Sequence, residues 1–171
     1  MALVAVAAVV FGFLALEAAR AARNERAQRT AGGVEPDGDV YRAMRLVYPA
    51  SFAAMLVEGA LRGGPTPLVF AFGTAIFAGA KILKWWAIVT LGRSWTFRVI
   101  VVPGAPRIVR GPYRLLRHPN YAGVIGELTG VALMTGASVT APIAVAVFGW
   151  LIVQRIRIEE RALANGGRSR V

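Results

Sequence analysis

Apolar stretches long enough to cross a lipid bilayer recur along this chain, and the charged residues are gathered mostly into the segments between them. A soluble domain of 171 residues would break up its apolar positions every few residues to make one buried face. Here 56% of residues are hydrophobic and only 17% are charged, and the two kinds are segregated. Bilayer hydrocarbon is roughly 30 Å thick, and a helix rises about 1.5 Å per residue. Five segments suit that distance: Ala2–Ala19, Ala43–Leu61, Leu68–Leu91, Tyr121–Val139 and the shorter Ala141–Gln154. Open backbone groups are too costly in lipid, and none of the segments alternates as a barrel strand does. The expectation is an all-α, polytopic integral membrane protein with about five transmembrane helices. It is read as a single domain over residues 1–171, with three spans in 1–90 and a polar loop, a helical hairpin and a C-terminal segment in 91–171.

The cations are one-sided. Arg20, Arg23, Arg26, Arg29, Arg42 and Arg45 follow the first span. Arg93, Arg98, Arg107, Arg110, Arg114 and Arg117 follow the third, and Arg155, Arg157, Arg161, Arg168 and Arg170 follow the fifth. The opposite turns hold only Arg62. By the positive-inside rule the N-terminus lies outside and the C-terminus and polar loop in the cytoplasm, with a bacterial plasma membrane as the setting. The net charge of +11 therefore reports topology and not nucleic acid, since the arginines flank apolar runs instead of forming a basic groove. Arginines directly after the first span, and no basic residues before it, favour a retained helix over a signal peptide. Gly32–Asp39, with glycines, a proline and three acids, reads as a turn between helices. With no cysteine and a single histidine, disulfides and a catalytic thiol are excluded and no metal site is expected.

The longest polar stretch, Gly92 to Asn120, holds the unusual residues. Pro112 stops a preceding helix, while the fixed φ of Pro119 suits the first turn of the fourth span. That places Arg117 and His118 at the positive end of a helix dipole, where anionic groups are favoured. Tyr121 and Gly123 would line the same mouth, Gly123 allowing a backbone or a ligand to approach closely. Glu127 lies two turns into the span, where an ionisable side chain costs roughly 2.5 kcal/mol or more unless paired or hydrated. It either pairs with Lys81 or Lys84 or serves as a general base.

The runs Leu91-Gly92, Ile108–Arg114, Arg117-His118-Pro119-x-Tyr121-x-Gly123 and Arg155–Leu163 resemble, in order and spacing, the isoprenylcysteine carboxyl methyltransferases and their small bacterial relatives. The stretch Leu91–Thr96 and Glu127 look most like the bacterial branch that O-methylates alkylpyrones or alkylresorcinols. The resemblance implies S-adenosylmethionine bound in a cytoplasmic pocket, between the polar loop as cofactor loop and the C-terminal segment. A lipophilic small-molecule acceptor would arrive from among the membrane lipids. It implies cofactor contacts from Arg117, His118, Pro119, Tyr121, Gly123, Glu159 and Glu160, with Arg117 or Arg157 gripping a carboxylate. Glu127 and Arg157 are the catalytic candidates. The donor's sulfonium, amino group, carboxylate and ribose diol call for acids and cations together, and this segment supplies both.

Each candidate has a plainer explanation. His118 would bond a backbone carbonyl, Tyr121 would be an interfacial anchor, and Glu159 and Glu160 would pair with Arg155 and Arg157 on a helix surface. Lys81 and Lys84 read as snorkelling cations beside interfacial Trp85 and Trp86. Glu58 and Arg62 read as a surface pair, Trp95 as either a pocket lid or a surface anchor, and Met44 and Met55 as packing or lipid contact. The rival functions are a membrane oxidoreductase of the sterol reductase type, for which no Gly-rich dinucleotide motif is present, and a non-catalytic adaptor or transporter, for which no internal repeat is visible.

Overall fold

The computed structural model describes residues 1–106 and 108–166, with side chains as far as Arg161 in the last helix. Arg107, Arg168 and Arg170 lie outside the described residues, as do the side chains of Ala162 and Leu163. Among the described residues five helices make the fold: α1 (Ala2–Thr30), α2 (Tyr41–Arg62), α3 (Pro67–Leu91), α4 (Pro119–Thr135) and α5 (Thr140–Gly166). Two short 3-10 turns, Gly92–Ser94 and Gly111–Arg114, punctuate the loop between α3 and α4. The protein is an all-α integral membrane protein. Among the described residues three helices, α1, α3 and α5, are long and apolar enough to cross a membrane, which corrects the expected five. The other two differ for physical reasons. α2 carries Arg42, Arg45, Glu58 and Arg62, and Pro49 inside it removes one backbone donor. α4 has only 17 residues, about 26 Å of rise, and more than half of them are buried against protein. A helix sheathed by its neighbours has no need of a fully apolar surface.

Local chemistry sets the helix ends. Thr66 caps α3 by accepting from the Val69 amide, with Pro67 in the first turn. Pro119 opens α4, and Gly136 closes it in the left-handed region at φ 70°. Glu58 does pair with Arg62 at 3.1 Å, but its carboxylate has a larger task. It accepts from the amides of Ser138, Val139 and Thr140 at 3.0, 3.1 and 2.8 Å and from the Thr140 hydroxyl at 2.7 Å. These are donors at the open start of α5, which that helix cannot satisfy itself. An anion there also complements the helix dipole.

The most extensive packing is between α3 and α4, where glycines replace side chains. A Cβ on Gly130 would lie 2.7 Å from the Phe77 amide nitrogen, and one on Gly73 2.8 Å from the Gly130 carbonyl oxygen. One on Gly126 would meet Ala80 Cβ at 2.7 Å, and one on Gly123 would meet Lys84 Cβ at 2.9 Å. Small residues on a shared face let membrane helices pack backbone to backbone. Around this seam, Phe52, Met55, Leu128, Val131 and Phe148 form the apolar core. Met55 is therefore packing rather than lipid contact, and Met44 packs against the same cluster.

α1 runs past its apolar stretch, and its last turns hold the α3–α4 loop. Asn24 donates to the carbonyls of Gly92 and Trp95 at 2.9 and 2.7 Å, and Gln28 to that of Arg93 at 2.9 Å. Val34 and Val101 exchange two backbone hydrogen bonds of 2.9 Å. Beside them Glu35 meets Arg98 at 2.7 Å and Arg29 at 2.6 Å. Burial by itself raises the Glu35 carboxyl, but Arg98 and Arg29 outweigh it and hold the group below its ordinary 4.5. A depressed carboxylate stabilises the fold fully above its unfolded value and loses that contribution as pH falls through the folded one. Hydrogen-exchange protection of Val34 and Val101 should thus be level above the ordinary carboxyl value of 4.5 and decline only as pH falls below it. A decline already complete at neutral pH would show that Glu35 does not hold this bridge.

Candidate active site

The start of α4 and the C-terminal part of α5 meet at the basic end of the bundle. The Tyr121 hydroxyl donates to Glu159 at 3.0 Å and accepts from Arg155 Nε at 2.9 Å. His118 stacks on Tyr121 with ring centroids 5.6 Å apart, and its Nε2 is 3.7 Å from Glu160. Arg117, 82% exposed, lies 3.9 Å from the same carboxylate. These last two contacts are longer than hydrogen bonds, so His118, Arg117 and Glu160 can exchange partners without breaking a formed network. Tyr113, on the second 3-10 turn, completes the group. Burial first, and the Glu159 charge second, push its hydroxyl well above the usual tyrosine value, so it stays neutral at physiological pH.

Two expected residues are placed elsewhere. Gly123 faces α3, and its missing side chain accommodates Lys84 and the Ala80 carbonyl. The close approach it permits is helix to helix. Arg157 is exposed, roughly 200° around α5 from Arg155, and joins none of the ion pairs among the described residues. The arginine beside Tyr121 is Arg155, which is buried. Pro119 is buried too, at the first turn of α4. Trp95 is 3% exposed. It packs on Phe97 and donates to Asn120 at 3.2 Å, tying the loop to α4. That excludes the surface-anchor alternative.

Glu127 belongs to a buried ionic cluster. Lys81 lies 2.8 Å from Glu17 and 3.1 Å from Glu127, and Lys84 lies 2.7 Å from Glu17 and 3.2 Å from Glu127. The Tyr48 hydroxyl donates to Glu127 as well. Glu17 is 0%, Glu127 1% and Lys84 2% exposed, so the two lysines do not snorkel. The reason is charge balance. Two ammoniums and two carboxylates from three helices neutralise one another where an isolated charge would be prohibitively costly. Of the two readings of Glu127, the geometry shows the pairing one.

Comparison with protein families matches residues 71–165 to the isoprenylcysteine carboxyl methyltransferase (ICMT) family. The chain belongs to this family. It is accordingly a membrane methyltransferase. Over 87% of its length and 89% of the relative's, it is 30% identical to the uncharacterized protein YpbQ of Bacillus subtilis. It is also 35% identical over 92 residues to protein-S-isoprenylcysteine O-methyltransferase A of Arabidopsis thaliana, covering 52% of this chain and 46% of that one. No solved structure matches it.

Within this ICMT family member, the structure brings to the site two residues that were not among the sequence candidates for it. Arg155 Nη1 lies 3.2 Å from Asp39, and both side chains are over nine-tenths buried. Arg155 stands at the head of the C-terminal motif, and its i,i+4 relation to Glu159 was a usable signal. Asp39, in the turn before α2, was hidden among three acids of one exposed-looking loop.

Proposed function

We propose that this protein transfers a methyl group from S-adenosylmethionine to an oxygen of a lipophilic acceptor at the cytoplasmic face of a bacterial plasma membrane, with its N-terminus outside. The observation that carries the reading is the convergence of Arg117, His118 and Tyr121 with Glu159 and Glu160 at one end of the bundle. The residues fit the donor. Glu159 and Glu160 can take its amino group and ribose hydroxyls, Arg117 its carboxylate, and the stacked rings of His118 and Tyr121 an adjoining flat or cationic group. When bound, S-adenosylmethionine supplies an electrophilic methyl on a sulfonium. The chain's part is to hold and align the reactants and exclude water, which by itself is worth up to roughly 7–11 kcal/mol.

The state of Glu127 bears on the acceptor. Engaged by two lysines and a tyrosine and closed to solvent, it is no free base. An acceptor whose oxygen arrives ionised is therefore favoured, either an isoprenylcysteine-type carboxylate or the acidic enol of an alkylpyrone. An alkylresorcinol phenol, which must first lose a proton, is the poorer substrate.

The test is retention of labelled S-adenosylmethionine against labelled NADPH by the detergent-purified protein, followed by methyl transfer to the three acceptor classes. Retention of NADPH alone would return the sterol reductase reading. Tyr121→Phe removes the hydroxyl between Arg155 and Glu159, and hydrogen bonds to charged groups are worth about 1.5–3 kcal/mol. Affinity for the demethylated cofactor should fall about ten-fold or more, read by calorimetric titration.

A further inference from the structure

The structure assigns to Asp39 the role of positioning residue for the cofactor site, an inference that rests on the function proposed above. Asp39 precedes α2 and lies outside the segment matched to the family, residues 71–165, yet its carboxylate ties three elements together. Oδ1 accepts from the Tyr41 amide at 3.1 Å and from Arg155 Nη1 at 3.2 Å, and Oδ2 accepts from the Val99 amide at 3.0 Å. The start of α2, the loop between α3 and α4, and α5 are thereby joined at one side chain.

The chain continues from Arg155 to the candidate ligands. A guanidinium only donates, so Arg155 Nε at 2.9 Å must give its proton to the Tyr121 oxygen. The single proton of Tyr121 then goes to Glu159, 3.0 Å away. Asp39 holds Arg155 in place for this by engaging Nη1 while Nε serves Tyr121. Without it, Arg155 would be left with an uncompensated charge, and the next carboxylate within reach is Glu159, one turn along the same helix. Arg155 would swing onto Glu159, displace Tyr121 and take the carboxylate from any bound amino or hydroxyl group. Partners that orient a metal-ligating side chain are commonly worth about 10- to 100-fold in metal affinity or activity, and the same scale is expected for a carboxylate that holds an organic ligand.

The experiment is titration of S-adenosylhomocysteine into detergent-purified full-length protein. Asp39→Asn keeps the shape but removes the charge, and the dissociation constant should rise roughly 10- to 100-fold. Asp37→Asn removes a charge from the same turn at an exposed position and should leave affinity unchanged. In the Asp39→Asn/Arg155→Gln double variant the mobile cation is gone, so Tyr121 keeps Glu159. Its affinity should be tighter than that of Asp39→Asn alone. This neutral pair also covers the case in which the single variant fails to fold. Affinity of Asp39→Asn equal to wild type, additive losses in the double variant, or an equal loss in Asp37→Asn would each overturn the assignment. Failure of the wild-type protein to bind S-adenosylhomocysteine would instead sink the proposed function, and the inference with it.

Discussion

Glu17→Gln should be the most damaging single substitution in this chain away from its site. Glu17 is the α1 contribution to the buried cluster and sits 2.8 and 2.7 Å from Lys81 and Lys84. Its removal leaves two buried ammoniums facing the one carboxylate of Glu127. Breaking a buried ion pair by deleting one partner costs about 3–5 kcal/mol, because the remaining charge is stranded. A loss of that size is a large fraction of the stability of a typical domain. The variant should show a large drop in thermal unfolding temperature in detergent, or fail to accumulate. Adding Lys81→Met to Glu17→Gln leaves one cation facing one anion and should recover much of the loss. Equal stability of Glu17→Gln and wild type would mean that the cluster is hydrated and not a dry lock between α1, α3 and α4.

The second large effect is expected at the α3–α4 seam. Gly130→Val puts a branched side chain where even a Cβ would lie 2.7 Å from the Phe77 backbone nitrogen and 2.8 Å from its Cβ. Backbone cannot rotate away as a flexible side chain can, so the helices must separate. Overpacking of a tight core costs typically about 1–3 kcal/mol, occasionally more, and a fixed backbone neighbour puts this site at the upper end. Because α4 carries Tyr121 on its first turn and His118 at its N-cap, separation should also weaken cofactor binding. Gly149, whose Cβ would meet nothing within 4 Å, provides the control: Gly149→Val should be nearly neutral. Comparable unfolding temperatures for the two variants would show that the seam is looser than it looks.

Both effects depend on features that differed in how readable they were. The polar loop and the C-terminal motif could be singled out from residue types and order, because Arg-His-Pro-x-Tyr and Arg-x-Arg-x-Glu-Glu crowd chemistry-bearing groups into short runs. Their meeting needed only that α4 and α5 form an antiparallel hairpin. The pairing of Glu127 with either lysine was also open to sequence reasoning, since a charge two turns into a span must find a partner. Glu17 as the shared counter-ion was not, because it stands 64 residues from Lys81 and closes what looks like an ordinary first span. The choice of Arg155 over Arg157 rests on about 200° of helix rotation, and the helix phase is decided by what the rest of α5 buries.

Hydrophobic segregation by itself determined that this chain enters a membrane as helices, because lipid leaves the backbone no other way to satisfy its own hydrogen bonds. Local residue chemistry determined where α3 and α4 begin and which short runs bear charge. Only the tertiary structure showed that α4 is sheathed by its neighbours, with more than half of its residues buried. It alone decided which charges cancel in the interior and which distant carboxylate steadies Arg155. The physical reason is that burial and charge compensation belong to sets of residues brought together from separate helices, and a linear pattern carries no record of those distances.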